Sequence, residues 1–395
     1  MPSTGHLRFG PLASQRWPPY FFISLPRARP GPSPFTGLGP SPTPASESQM
    51  RRLDSQVSPP DRSSTGSVIR SLPASSCPAS GSLVPGFLRH ALLGLGVLVL
   101  VLLVSSPALL EAQAQAPFSS LAPDDRPVVL VTGSTDGLGR ELALELGTMG
   151  AHVIVHGRNE ERGRQVVDAI EADGRGSARL FLADFGELVQ VSALAREIRT
   201  HYDRLDILVN NAGVGPGAPG HERVLTPDGY ELRFQVNYLA GYLLTRELLP
   251  LLQSGAPSRI VNVTSRNQQT LDFDDLDLDE GYQGGAAYGR SKLAQILFTT
   301  DLSEELEGTG VSAFAVHPAP AMDTGLVRET GSTPQSSVER GLASVLRVAI
   351  EAGLESGQYF HELEERRAHE QAYDPEARRL LRERSDERID RALGR

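Results

Sequence analysis

The chain is predicted to fold as a doubly wound parallel α/β sheet in a single domain over residues 118–395, behind a disordered N-terminal extension and an apolar segment. Three observations predict this. Short apolar, β-branched runs alternate with helical stretches, glycines cluster between the first run and the first helix, and the composition changes sharply ahead of Arg126. Val128-Val129-Leu130-Val131 reads as the first strand, and Glu141-Leu142-Ala143-Leu144-Glu145-Leu146 has helical spacing. Ala151 to Val155 gives a second strand, followed by a polar helix ending near Ala172-Asp173-Gly174. Leu180-Phe181-Leu182, Leu205 to Val209, Arg259 to Val263 and Val311 to Val316 supply four more strands, with helical stretches between them. Strands joined by helices of this length require right-handed crossovers, hence a parallel sheet. The stretch from Asp374 to Arg395 alternates acidic and basic residues, which predicts a solvated helix stitched by near-neighbour ion pairs rather than a basic patch.

The first 117 residues have another texture. Residues 1–85 hold 16 of the 29 prolines, together with Trp17 and Cys77, the only residues of their types. They show no apolar period, so they cannot offset their ordering entropy and are expected to be disordered, or to lie upstream of the true start. Within 86–117, Ala91 to Val104 is an unbroken apolar run of 14 residues, preceded by Arg89 and His90 and followed by an Ala-Gln-Ala tail. That shape fits a signal peptide, and the extension to Leu110 also fits a membrane anchor. The protein is thus expected to be membrane-associated or exported through 91–110, or cytoplasmic if that segment is not part of the natural chain. A net charge of -10 disfavours a nucleic-acid partner. One cysteine permits no internal disulfide.

Between the first strand and first helix stands Thr132-Gly133-Ser134-Thr135-Asp136-Gly137-Leu138-Gly139. Gly133 suits a tight turn, Gly137 lets the backbone approach a pyrophosphate, and Gly139 lets helix and strand pack closely. A pyrophosphate there sits on the free N–H groups and positive dipole end of the helix. The second strand ends in His156-Gly157-Arg158-Asn159, with no acid to grip the 2′-hydroxyl of NAD. The Arg158 guanidinium matches a 2′-phosphate, so NADP is expected in preference to NAD. At these residues the chain resembles the short-chain dehydrogenase/reductase family, whose fingerprint is T-G-x-x-x-G-x-G, on a Rossmann-type sheet. Asp184-Phe185 is similar to the family's adenine-contacting pair, and Asn210-Asn211-Ala212-Gly213 to its second fingerprint. The resemblance implies that Asn211, Ala212 and Gly213 support the cofactor ribose, while Asn210 and Asn211 brace the sheet.

Tyr288-Gly289-Arg290-Ser291-Lys292 matches Y-x-x-x-K and runs into a helical pattern. Residues i and i+4 share a helix face, so an ammonium at Lys292 can favour the phenolate of Tyr288. A free phenol, with a pKa of about 10, is otherwise a poor base. The resemblance implies that Tyr288 is the general acid/base, Lys292 also holds the nicotinamide ribose, Ser265 binds the substrate oxygen and Asn237 sits at a helix kink in a proton relay. Thr264 is read as structural.

Ser265 and Tyr288 are 23 residues apart, more than the family's usual spacing. The acids Asp272, Asp274, Asp275, Asp277, Asp279 and Glu280 between them resemble the insertion of the retinol-dehydrogenase-like branch. No glycine stands where a calcium loop needs one, so a solvated loop near the substrate mouth is expected and no metal site. After the sixth strand the family's usual Pro-Gly is His317-Pro318-Ala319-Pro320, where Pro318 keeps its expected cofactor contact. His317 is read as a packed strand-end residue. These features predict an oxidoreductase acting on a small hydrophobic alcohol or carbonyl, against a non-catalytic NADP-sensing protein on the same fold. Homo-oligomers are expected through the helices carrying Asn237 and Tyr288.

Overall fold

The computed structural model describes Phe118 and residues 121–395 apart from 219. The expectations for 1–85 and for the apolar run at 91–110 fall outside the described residues. Among the described residues, no helix is long and apolar enough to cross a membrane.

Eight strands form one sheet in the order β3-β2-β1-β4-β5-β6-β7-β8. They are β1 (Val128–Val131), β2 (His152–Gly157), β3 (Ser177–Leu182), β4 (Ile207–Asn210), β5 (Ser258–Val263), β6 (Val311–His317), β7 (Tyr359–His361) and β8 (Glu364–Glu365). All neighbours pair in parallel except β7 and β8, with Val129 opposite both Val153 and Ile207. The helices are α1 (Gly137–Thr148), α2 (Glu160–Asp173), α3 (Leu188–His201), α4 (Ala240–Ser254), α5 (Gly284–Glu305), α6 (Gly325–Arg328), α7 (Val338–Ile350) and α8 (Pro375–Leu393). This is the doubly wound sheet that the alternation predicts. The strands are apolar on both sides because both faces are covered. Val129 and Val131 face one core with Val153, Val155 and Leu142, whereas Leu130 faces the other with Ile154, Leu208 and Leu293.

The crossover from β3 to β4 reverses the strand order between the neighbours β1 and β4, and a crevice opens at their carboxyl ends. Asparagines join the sheet to its helices at that point. Asn210 Nδ2 donates to Thr245 at 3.0 Å and Asn262 at 2.9 Å, and Asn262 donates to Thr299 at 2.9 Å. Asn210 braces the sheet as the resemblance implies.

The C-terminal helix departs from the expectation of a solvated one. Near-neighbour pairs do form on its outer side, as between Arg379 and both Glu376 and Glu383. Its inner side buries Ala377, Leu381, Ser385 and Ile389, four residues apart, over the aromatic face of the preceding helices. Tyr238 bonds Ser385 at 2.8 Å and Tyr242 donates to Asp386 at 2.7 Å. Arg382 donates from Nη1 to both Asp301 oxygens, while Arg378 forks onto Glu304 and Arg388 onto Asp277. The alternating charge that reads as solvation therefore serves long-range pairing. Tyr238, Tyr242 and Phe298 lie beneath α8 of the same chain, so two copies can pair through that aromatic face only by displacing it.

The acidic insertion keeps Asp272, Asp274, Asp279 and Glu280 exposed, as expected of a solvated loop, but anchors itself through leucines. Leu271, Leu276 and Leu278 are buried, Asp277 accepts from the Glu231 backbone at 2.8 Å, and Asp279 pairs with Arg223. Asp277 and Asp279 answer arginines, and no group of three His, Cys, Asp or Glu among the described residues could hold a metal ion.

Candidate active site

The glycine loop is shaped by steric closeness. Gly133 sits at φ +65°, and a side chain there would meet Ala212 Cα at 2.8 Å. A Cβ on Gly139 would overlap the Gly133 carbonyl and the Asn211 amide. Thr132 and Asn211 lock the two fingerprints together. Thr132 Oγ1 accepts from the backbone N–H of Asn211 and of Ala212, both at 3.0 Å, and Asn211 Nδ2 donates to the Thr132 carbonyl at 2.9 Å. α1 begins at Gly137 with Asp136 as its cap, accepting from the Gly137 N–H at 2.7 Å. The backbone cradle at a helix N-terminus that opens on Gly137 at φ +51°, with no Cβ there to stand in the way, fits a dinucleotide pyrophosphate.

Side chains within the loop divide. Ser134 is buried and bonds the main chain of His156, and Leu138 packs into the core, so each can meet a cofactor only through its backbone. Thr135 packs its side chain against Gly157. His156, whose role the sequence reading did not register, accepts from the Gly133 N–H through Nδ1 at 3.2 Å. Burial pushes its imidazole down to about 4, so at neutral pH it is an uncharged acceptor that fixes the turn. A cross-strand contact between β2 and the loop gives no signal in local spacing.

Arg158, just past the end of β2, is 68 % exposed and stands 3.4 Å from Asp184. Arg162, one turn into α2, pairs with Asp136 at 3.0 Å. Phe185 is buried and stacks on His156 at 4.5 Å, so its ring belongs to the core rather than to an open adenine site. Pro318 is buried at the end of β6. Beyond it, Thr324 packs against Gly137 and Leu326 against Gly215, so this segment borders the crevice.

The four residues expected to carry the chemistry converge. Tyr288 and Lys292 lie one turn apart on α5, with Lys292 Nζ 5.6 Å from the phenol ring centroid. Tyr288 is half-buried and shares a hydrogen bond with Ser265, which follows β5. Burial raises the phenol above its usual value, and the Ser265 hydrogen bond opposes that rise. Lys292 is buried, donating to the Val263 carbonyl and to Gln295, each at 2.9 Å, and burial lowers its ammonium to about 7. Asn237 sits in a π-helical stretch, Phe234–Leu239, which is the kink expected of it. Its amide both accepts from and donates to the Val214 backbone, at 2.7 and 3.1 Å, and donates to Ser291 at 2.9 Å. Ser291 in turn donates to the Tyr288 carbonyl at 2.7 Å. A half-buried phenol flanked by a hydroxyl and an amine, beside a dinucleotide cradle, can exchange a proton with an alcohol or carbonyl oxygen while the carbon gains or loses hydride.

A crevice of this kind on a doubly wound sheet defines a nicotinamide-dependent oxidoreductase acting on CH–OH groups. The chain belongs to the short-chain dehydrogenases, whose family model (short chain dehydrogenase) matches residues 127–335. It falls in the retinol-dehydrogenase-like branch. It is 37% identical to mouse (Mus musculus) retinol dehydrogenase 13 over 280 residues, 64% of this chain and 80% of that protein. Human (Homo sapiens) retinol dehydrogenase 12 is 36% identical over 247 residues, 59% of this chain and 77% of that protein. Among solved structures, an uncharacterized protein from Mycobacterium paratuberculosis superposes with a TM-score of 0.56 at 26% identity, covering 68% of this chain and 97% of its own. The Pseudomonas aeruginosa RhlG/NADP active-site complex gives 0.50 at 27% identity, over 62% and 96% respectively.

Proposed function

We propose that this chain moves a hydride between NADP(H) and the alcohol or carbonyl carbon of a small hydrophobic substrate, with Tyr288 as general acid/base. The observation that carries the reading is the Lys292 ammonium, one turn along α5, against the Tyr288 ring, with the Ser265 hydroxyl acting to lower the phenol. The bound nicotinamide supplies the hydride donor or acceptor. Tyr288, held neutral by burial, is set to give its proton to a carbonyl oxygen during reduction. In the reverse sense a charged Lys292 lowers the phenol so that it can take the alcohol proton. Ser265 Oγ orients the substrate oxygen toward the phenol. Asn237, through Ser291, holds the main chain of Tyr288.

Arg158 supports NADP over NAD, since β2 ends without a carboxylate to take a ribose 2′-hydroxyl and its exposed guanidinium, 3.4 Å from Asp184, matches a 2′-phosphate. The relatives named as retinol dehydrogenases support a hydrophobic alcohol or its aldehyde. So do Val224 and Leu225, apolar and about half exposed in the segment leading to the Asn237 helix. Attachment to a membrane, or export across it, through 91–110 belongs to the same reading, and sequencing the N-terminus of the natural protein separates a removed signal from a retained anchor.

The test is the full chain with NADPH and NADH against retinal and a panel of other aldehydes and ketones, beside Tyr288→Phe. We expect turnover that prefers NADPH and falls by about 10²–10⁴-fold in the variant, with dinucleotide affinity kept. Tight dinucleotide binding without turnover on any member would favour the sensing protein instead.

A further inference from the structure

The loop after Asn211-Ala212-Gly213 offers three consecutive carbonyl groups to side chains of one short segment. Asn237 holds that of Val214 at 3.1 Å, while Arg233 donates from Nε to Gly215 at 2.9 Å and from Nη2 to Pro216 at 3.0 Å. The remaining arm of the guanidinium, Nη1, donates to the Tyr282 hydroxyl at 2.5 Å and to Glu231 at 3.2 Å, and Tyr282 donates to Glu231 at 2.9 Å. Glu231 also accepts the Phe234 N–H at 2.8 Å. Arg233 and Glu231 are only 6 % and 1 % exposed. An ion pair so deeply buried costs desolvation energy that only a full set of hydrogen bonds offsets, so it is weak evidence for stability alone.

What the guanidinium holds lies against the catalytic pair. Gly284 opens α5, and a Cβ there would overlap the Pro216 carbonyl that Arg233 grips. Tyr288 follows one turn later. At the other end of the loop, a Cβ on Gly213 would stand 3.1 Å from the Asn237 amide oxygen and 3.8 Å from Lys292 Nζ. The loop is thus wedged between the start of α5 and the Lys292 ammonium.

We propose that Arg233 is a positioning residue. Its planar guanidinium fixes the 214–216 loop against the N-terminus of α5 and so sets where the Tyr288 hydroxyl stands relative to Ser265 and Lys292. This rests on the reading of Tyr288 as the acid/base. Lysine cannot replace it, because an ammonium on a flexible stem has no rigid fork to span two successive carbonyls, a carboxylate and a phenol at once. Tyr282 brings the acidic insertion into the same arrangement, so the long spacing between Ser265 and Tyr288 has a use: it returns a phenol to the arginine that seats the catalytic helix.

The test compares full-length wild type with Arg233→Lys, Tyr282→Phe and the double variant Arg233→Met/Glu231→Gln, which removes both buried charges together and so guards against misfolding. Dinucleotide affinity and active-site concentration come from NADPH fluorescence titration, and kcat and KM from the best substrate of the panel. In Arg233→Lys we expect kcat per NADPH-binding site to fall by about 30–100-fold, the effect of roughly an ångström of misplacement, with KM and dinucleotide Kd nearly unchanged. The kcat limb for alcohol oxidation should move to higher pH, because the Ser265 bond that lowers the phenol is weakened. Tyr282→Phe should lower kcat in the same sense but less. Unchanged kcat per binding site in Arg233→Lys and the double variant, with losses only in folded yield, would overturn the proposal while leaving the enzyme reading intact. A wild type inactive on every substrate would remove both.

Discussion

Replacing Lys292 with methionine should remove a pH dependence of stability that the wild type shows above neutrality. Burial lowers the Lys292 ammonium from 10.5 to about 7. Below pH 7 the folded and unfolded chains both carry the proton, and the full cost of burying the charge is present. Between pH 7 and 10.5 the unfolded chain binds the proton and the folded chain releases it, so stability rises with pH across that window. Integrating the linkage relation gives a gain of about 2 kcal/mol from pH 7 to pH 9, out of about 5 kcal/mol for the whole window. For a folded region of this size that gain raises the melting temperature by about 4–8 °C. The assay is thermal unfolding of the dinucleotide-free protein at pH 7, 8 and 9, wild type beside Lys292→Met. Methionine also leaves the Val263 carbonyl and the Gln295 amide oxygen without their donor. That loss shifts the variant's curve by an amount that does not vary with pH, so the comparison is of slopes. Equal slopes in the two proteins would refute the claim that burial depresses the Lys292 ammonium.

Three further outcomes follow from the geometry. Gly139→Ala places a methyl against the Gly133 carbonyl and the Asn211 amide, so it should cost about 1–3 kcal/mol of stability and at least about ten-fold in NADPH affinity, read by denaturant unfolding and fluorescence titration. Arg158→Ala should weaken binding of 2′,5′-ADP by about ten-fold or more while leaving 5′-AMP little changed, measured calorimetrically; equal losses for both would remove Arg158 as the 2′-phosphate ligand. Arg378→Glu/Arg382→Glu sets like charges against Glu304 and Asp301 and should free α8, so light scattering should find more self-association in the variant than in the wild type. Reversal on adding Glu304→Arg/Asp301→Arg would assign the effect to that contact, whereas a wild-type dimer pairing across Tyr242 and Phe298 would contradict the covered face.

What the amino-acid order alone determined is the part of the protein whose causes are local. The β-branched run at 128–131, the glycines at 133, 137 and 139, and the four-residue step from Tyr288 to Lys292 each dictate their own strand, turn or helix face through neighbours close in the chain. In register with one another, they state the doubly wound sheet and the composition of the crevice. Missing from the sequence reading were β7 and β8, short strands with little apolar periodicity of their own, whose pairing depends on β6 already being in place. Tertiary structure alone decided the rest. The seat of His156 beneath Gly133, the burial of α8 by arginines that answer Asp277, Asp301 and Glu304, and the hold of Arg233 on the 214–216 loop join groups from separate elements. A charge pattern along a chain shows only that ion pairs can form, and whether they face water or close over a core depends on which helix arrives beside them.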